Sequence, residues 1–211
     1  MKNLPAPLKV TAQALIDWWD AWISMVIVNL AWILCWLTIV LGPPATFGLY
    51  HVTHQLARGE SLGLGGLIEG ARRYFAKSWL WMLLNLAVTI VIAVDLIFYA
   101  QVDAIWVGFL QGTFIVLSVF WLMVQFYVPP FLMEQDNKSL KLALRNGALT
   151  LLAAPGYTIV VTGIAALLIV FSLFLVFPLF MGVPCLITAI GNRAVMERME
   201  TYGVREHEEG D

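Results

Sequence analysis

Charge is scarce in this sequence: of 211 residues, Asp, Glu, Lys and Arg together make up 12%, about half the share of a soluble domain. With 61% apolar residues and a mean hydropathy of +0.84, the chain has too little polar surface to cover a water-soluble core of its own size. Basic residues are the scarcer sign, 12 against 14 acidic, so the net charge of −2 leaves no basic face to neutralise phosphates, and a nucleic-acid partner is not expected. Cysteine is nearly absent too. Cys35 and Cys185 each sit inside a long apolar run and read as packing residues rather than as a disulfide or a reactive thiol.

Catalytic signatures are also missing. There is no nucleophile elbow, Walker loop, zinc-protease His-Glu-x-x-His or serine–lysine dyad, and the glycines at 63, 65, 66 and 70 follow no strand and match no phosphate-binding spacing. These absences argue against an enzyme, and nothing calls for a cofactor. The start of the chain, Met1-Lys2-Asn3-Leu4, has no apolar core close behind its charge, and the first apolar run is too long for a signal peptide, so that run is expected to stay in the mature protein.

What the chain has instead is long apolar runs, and they define an all-α, polytopic transmembrane bundle in a single membrane domain spanning residues 1–211. A bilayer core takes about 20 apolar residues in helical form. Runs at 21–41, 79–100 and 105–128 meet this, the second interrupted only by Asp95, and the short 101–104 link makes the second and third a hairpin. From Gly147 to Asn192 no residue is charged, a stretch that as one helix would reach about 69 Å and so must fold back. A fold-back at Pro178 divides it into spans at 156–177 and 179–198, about five in all, the last kinked by Gly182 and Pro184. The charged tail, 200–211, reads as disordered.

Lysine and arginine gather on one side of this arrangement, and cytoplasmic loops keep the excess of positive charge. The 57–78 connection holds Arg58, Arg72, Arg73 and Lys77, and the 134–146 connection holds Lys138, Lys141 and Arg145. The five-span reading therefore puts the N-terminus outside and the C-terminus in the cytoplasm; an even number of spans would put both termini inside. Trp18, Trp19, Trp22, Trp79 and Trp81 fit interfacial belts, where amphipathic rings sit at headgroup depth.

Both basic connections are amphipathic. Leu64, Leu67, Ile68, Ala71 and Phe75 share one helical face opposite Glu69, Arg72, Arg73 and Lys77, and Leu140, Ala143, Leu144, Ala148 and Leu151 do the same beside Lys138, Lys141 and Arg145. Arg72, Arg73, Lys77, Lys138, Lys141 and Arg145 thus form a cytoplasmic basic surface facing anionic headgroups. The Gly42-Pro43-Pro44-Ala45-Thr46 motif reads as a helix break at the end of the first span. Pro129-Pro130 after the third span suggests a faint internal repeat.

Asp95 is the one ionisable residue deep in a span, where a charge costs about 2.5–3.5 kcal/mol. Its depth is close to that of Gln111 and not far from that of Asn29. Two readings follow: a polar site of Asn29, Asp95 and Gln111 for a small solute or a proton, or interhelical hydrogen bonds that hold the bundle. His51 and His54 have a spacing that can place both imidazoles on one face, but with only a distant Glu60 to complete a ligand set a metal site is not expected.

Asn29-Leu30-Ala31-Trp32, the Gly42–Thr46 exit, Arg58-Gly59-Glu60, Arg72-Arg73-Tyr74-Phe75 and Pro155 together resemble the YesL family of bacterial integral membrane proteins, over nearly the whole chain. The doubled proline departs from the commoner single one. The resemblance implies a bacterial inner-membrane protein of undefined activity, often encoded near carbohydrate ABC transporters, and it supplies no catalytic residues. The expectation is therefore a non-enzymatic accessory or regulatory partner of a carbohydrate ABC uptake system, in contact with the lipid bilayer, with ABC permease subunits, or with further copies of itself through small residues such as Gly156, Gly163, Ala165 and Ala166. The rival from another class is a small-solute transporter or channel using Asn29, Asp95 and Gln111.

Overall fold

Proline sets many of the helix starts, as its fixed φ and missing amide hydrogen favour the first helical turn. In the computed structural model, which describes residues 4–60, 63–102 and 104–203, α1 (Ala6–Asp20), α3 (Gly42–Ala57), α8 (Pro155–Leu175), α9 (Phe177–Phe180) and α10 (Val183–Thr201) all carry proline in that turn. The others are α2 (Trp22–Leu37), α4 (Gly63–Arg73), α5 (Phe75–Tyr99), α6 (Ile105–Glu134) and α7 (Leu140–Ala153). Among the described residues there is no strand.

Three helices are long and apolar enough to cross a membrane: Phe75–Tyr99, Trp106–Glu134 and Pro155–Leu175. A fourth is added if α1 and α2, bent at 92°, are counted as one broken span. These three lie close to the expected runs at 79–100, 105–128 and 156–177. The most apolar stretch of α5 has no residue buried inside the protein and that of α6 has very few, so this part of the hairpin stands out from the core, whereas the last turns of α6, from Tyr127 to Met133, are buried in it.

The core forms where the sequence predicted spans of another kind. Expected as one span, 21–41 ends early: α2 stops at Leu37, a turn follows, and the Gly42–Thr46 motif begins α3 instead of ending a span. Pro43 and Pro44 have no amide hydrogen to lose in a first turn, so the motif initiates helix. Twelve of the 16 residues of α3 are buried, which makes it the centre of the molecule. Packed on it are α10, α4, α2 and α5, with Phe47, Tyr50, Tyr127, Leu132, Ile190 and Val195 in one continuous core.

The expected span at 179–198 is likewise replaced. Val176, at φ 58°, ends α8 two residues before Pro178, which sits in the first turn of α9; Gly182, at φ 100°, then turns the chain into α10. At Gly182 a side chain would strain the backbone and crowd the Trp18 indole. Ten residues of α10 are buried against α1, α3, α6 and α8, so its polar Asn192, Arg193, Glu197 and Arg198 are met by protein groups. Pro129 and Pro130 lie inside α6, which continues to Glu134, so the suggested repeat is not matched: one proline pair starts a helix and the other is carried within one.

Of the two helical faces read from the sequence, that of α7 turns inward, whereas that of α4 is split, with Leu67 buried and Leu64, Ile68 and Phe75 exposed. Leu67 of α4 packs with Met25, Leu49 and Val52, while Ala143 and Leu151 of α7 are buried beside α6. Two of the expected belt tryptophans do other work. Trp18 donates to the carbonyl of Gly182 at 3.1 Å, and Trp81 lies edge-on to Phe47; Trp19 and Trp22 remain exposed.

Candidate functional site

Asn29, Asp95 and Gln111 occupy three separate surroundings. Asn29 is fully buried in α2 and donates through Nδ2 to the carbonyl of Leu179 at 2.7 Å, tying α2 to α9. Asp95 is half-buried four residues from the end of α5, and Gln111 lines an open cavity at the tip of the α5–α6 hairpin with Tyr99, Val107 and Gly108. No hydrogen bond or ion pair joins the three among the described residues. Of the expected basic surface, Arg72, Arg73, Lys141 and Arg145 are exposed, Lys77 is half-buried, and Lys138 folds back to donate to the carbonyl of Met133 at 2.6 Å. Burial lowers the pKa of that amine below the usual lysine range, and Arg73 adds to the effect.

The chain concentrates its polar chemistry where α3 meets α6 and α10. His54 and Glu134 meet at 2.9 Å, Nε2 to Oε1, and Arg58 donates to the other carboxylate oxygen at 2.8 Å. One turn earlier on α3, His51 presents Nε2 at 3.9 Å from Glu69 of α4, beyond hydrogen-bonding distance. Burial holds the His51 pKa below its ordinary value; Glu69 opposes this, while His54, Arg73 and Lys138 reinforce it. On the inner side, Asn192 Nδ2 donates to the carbonyl of Tyr50 and to Thr53 Oγ1, both at 2.9 Å, and Thr53 and Thr188 bond at 3.1 Å.

This cluster answers the histidine spacing read from the sequence. Glu134 and Glu69 are its carboxylates, lying far along the chain from the motif, whereas Glu60 is not among the partners. Among the described residues no group of three His, Cys, Asp or Glu side chains could hold a metal ion. Nor does a hydroxyl or thiol bond to either histidine, so the geometry is that of a latch between helices.

A second polar set lies midway along the α5–α6 hairpin. Trp81 Nε1 donates to Gln125 Oε1 at 2.8 Å, Trp121 Nε1 donates to Asn85 Oδ1 at 3.1 Å, and Asn85 Nδ2 donates to Gln125 Oε1 at 3.2 Å. Asn85 and Gln125 are isolated polar residues within the apolar runs at 79–100 and 105–128. Their pairing was hidden because it forms across two helices, and one of the tryptophan partners, Trp81, reads first as an interfacial anchor.

Comparison of the chain with protein-family models, with curated proteins and with solved structures finds no match. The functional reading therefore rests on the geometry, on the sequence pattern and on the resemblance described above.

Proposed function

We propose that this chain is a non-enzymatic integral protein of a bacterial inner membrane that acts as an accessory or regulatory subunit beside another membrane protein. The observation that carries this reading is the α5–α6 hairpin. Its most apolar stretches stand out from the core uncovered, and it carries Asp95, whose side chain has no hydrogen bond or ion pair to any other described residue. An ionisable residue at membrane depth is costly without a partner or an interface nearby, and a neighbouring subunit can supply the missing group. The resemblance to the YesL family directs the choice of partner to the permease of a carbohydrate ABC uptake system. The excess of basic residues on one side supports a cytoplasmic position for that side and for the C-terminus, with the N-terminus outside.

The test is purification of the tagged chain from its own membranes in native nanodiscs, followed by mass spectrometry of what co-elutes at stoichiometric yield. Permease subunits that are lost in Asp95→Leu support the reading. A homo-oligomer with no other protein, combined with solute flux in proteoliposomes that Asp95→Asn abolishes, replaces it with the transporter reading.

A further inference from the structure

Beneath α4 a groove of about 300 Å³ opens at the surface, framed by Leu41, Pro44, Leu67, Ile68 and Phe75, with Arg72 as its one charged wall residue. That size is at the lower edge of small-molecule sites, enough for a stretch of hydrocarbon. Its two lips are apolar and exposed. One is the outer stripe of Leu64, Ile68 and Phe75; the other is the turn after α2, where Leu37, Ile39, Val40 and Leu41 all face outward.

The turn is suited to hydrocarbon. Its backbone groups find partners in the protein: Thr38 and Ile39 donate to the carbonyls of Cys35 and Trp36 at 3.1 Å, Leu41 donates to Thr38 Oγ1 at 3.3 Å, and the Trp79 indole donates to the carbonyl of Val40 at 3.2 Å. Backbone groups in lipid have no water to bond, so partners supplied by the protein are what a membrane-inserted turn requires. Ile39 holds φ at 58°, a left-handed conformation that is a genuine outlier for a β-branched residue, and its side chain is 71% exposed. In water such a turn would expose a large apolar patch.

Charge then selects among lipids. The Arg72 side chain is exposed and has no hydrogen bond or ion pair among the described residues, and Glu69, the acidic residue of α4, lies 3.9 Å from His51. We propose that this groove holds an acyl chain of one anionic phospholipid, whose phosphate pairs with Arg72. This goes beyond the accessory-subunit reading and does not depend on it.

The experiment equilibrates the protein with vesicles of equal phosphatidylglycerol and phosphatidylcholine, extracts it in mild detergent, and counts retained lipids by native mass spectrometry. The wild type is expected to keep one phospholipid with about a fivefold preference for phosphatidylglycerol, the effect of one basic residue near a membrane surface. Arg72→Gln is expected to keep the lipid and lose the preference, and Ala71→Leu, which narrows the groove, to lose the lipid. Circular dichroism confirms that each variant keeps its helices. Arg145→Gln, an exposed arginine on α7, is expected to behave as wild type. Equal retention of both lipids by the wild type, an equal loss of preference in Arg145→Gln, or a dimer that Ile68→Glu separates would overturn the proposal.

Discussion

His54 Nε2 lies 2.9 Å from Glu134 Oε1, so two residues 80 positions apart tie the buried helix α3 to the last turn of α6. Arg58 takes the second carboxylate oxygen at 2.8 Å from a half-exposed position. Glu134→Ala leaves a buried imidazole short of a partner, and we expect a loss of about 1–3 kcal/mol. The figure stays below that for breaking a fully buried pair because Arg58 regains water. Glu134→Gln keeps an acceptor for His54 and is expected to lose less. Thermal unfolding in detergent orders the three proteins, and equal stability of the alanine variant and wild type would dissolve the latch.

Acidification is expected to loosen the same region through His51. Its pKa is lowered from the ordinary 6.5, chiefly by burial and against the opposing pull of Glu69, with His54, Arg73 and Lys138 adding to the depression. Below pH 6.5 the unfolded chain binds a proton that the folded chain resists, so stability falls as pH drops through this window. Above it, His51 is neutral in both states and contributes no slope. For one proton the slope is at most about 1.4 kcal/mol per pH unit. His51→Gln has no group to protonate there, so its unfolding midpoint is expected to fall less between pH 7.5 and 5 than that of wild type. Parallel curves would assign the pH dependence elsewhere.

The parts legible in the sequence are those governed by local composition. Phe75–Tyr99 and Trp106–Glu134 follow from long apolar runs at 79–100 and 105–128, the first broken only by Asp95, and the short link between them forces a hairpin. What stayed hidden depends on distant partners. The run at 21–41 carries no charged residue, and its one marker of the end of α2 is Thr38, whose hydroxyl bonds within the turn while Trp79, far along the chain, donates to the carbonyl of Val40. Nothing in the letters of Gly42–Ala57 distinguishes a helix enclosed by other helices from one lying at an interface, since His51 and His54 find Glu69 and Glu134 only in three dimensions. In α10 the mixture of apolar and charged residues resembles a span running into a tail, yet its polar side chains reach other helices: Asn192 Nδ2 donates to α3, and Arg193 pairs with Asp17 at 2.7 Å. Of the Asn29–Asp95–Gln111 grouping, Asn29 donates to the carbonyl of Leu179, a partner that similar depth in the sequence does not reveal.

The contact of α3 with α4 depends on glycine at two facing positions, and it gives a contrast between substitutions of the same kind. A methyl group at Gly70 would lie 2.6 Å from Cβ of His51 and 2.9 Å from Cα of Gly48, and one at Gly48 would press on the backbone carbonyl of Leu67. Neither obstacle is the flexible end of a side chain, so the helices must separate. Gly48→Ala and Gly70→Ala are each expected to cost about 1–3 kcal/mol, the usual range for overpacking. Gly65, in the same helix α4, meets nothing within 4 Å, so Gly65→Ala only restricts the unfolded chain and is expected to stabilise by about 0.4–1 kcal/mol. Opposite signs for Gly65→Ala and Gly70→Ala in thermal unfolding would establish that α4 is held by close backbone approach to α3. A loss of equal size in both would mean that helix propensity and solvation, rather than this contact, fix α4 in place.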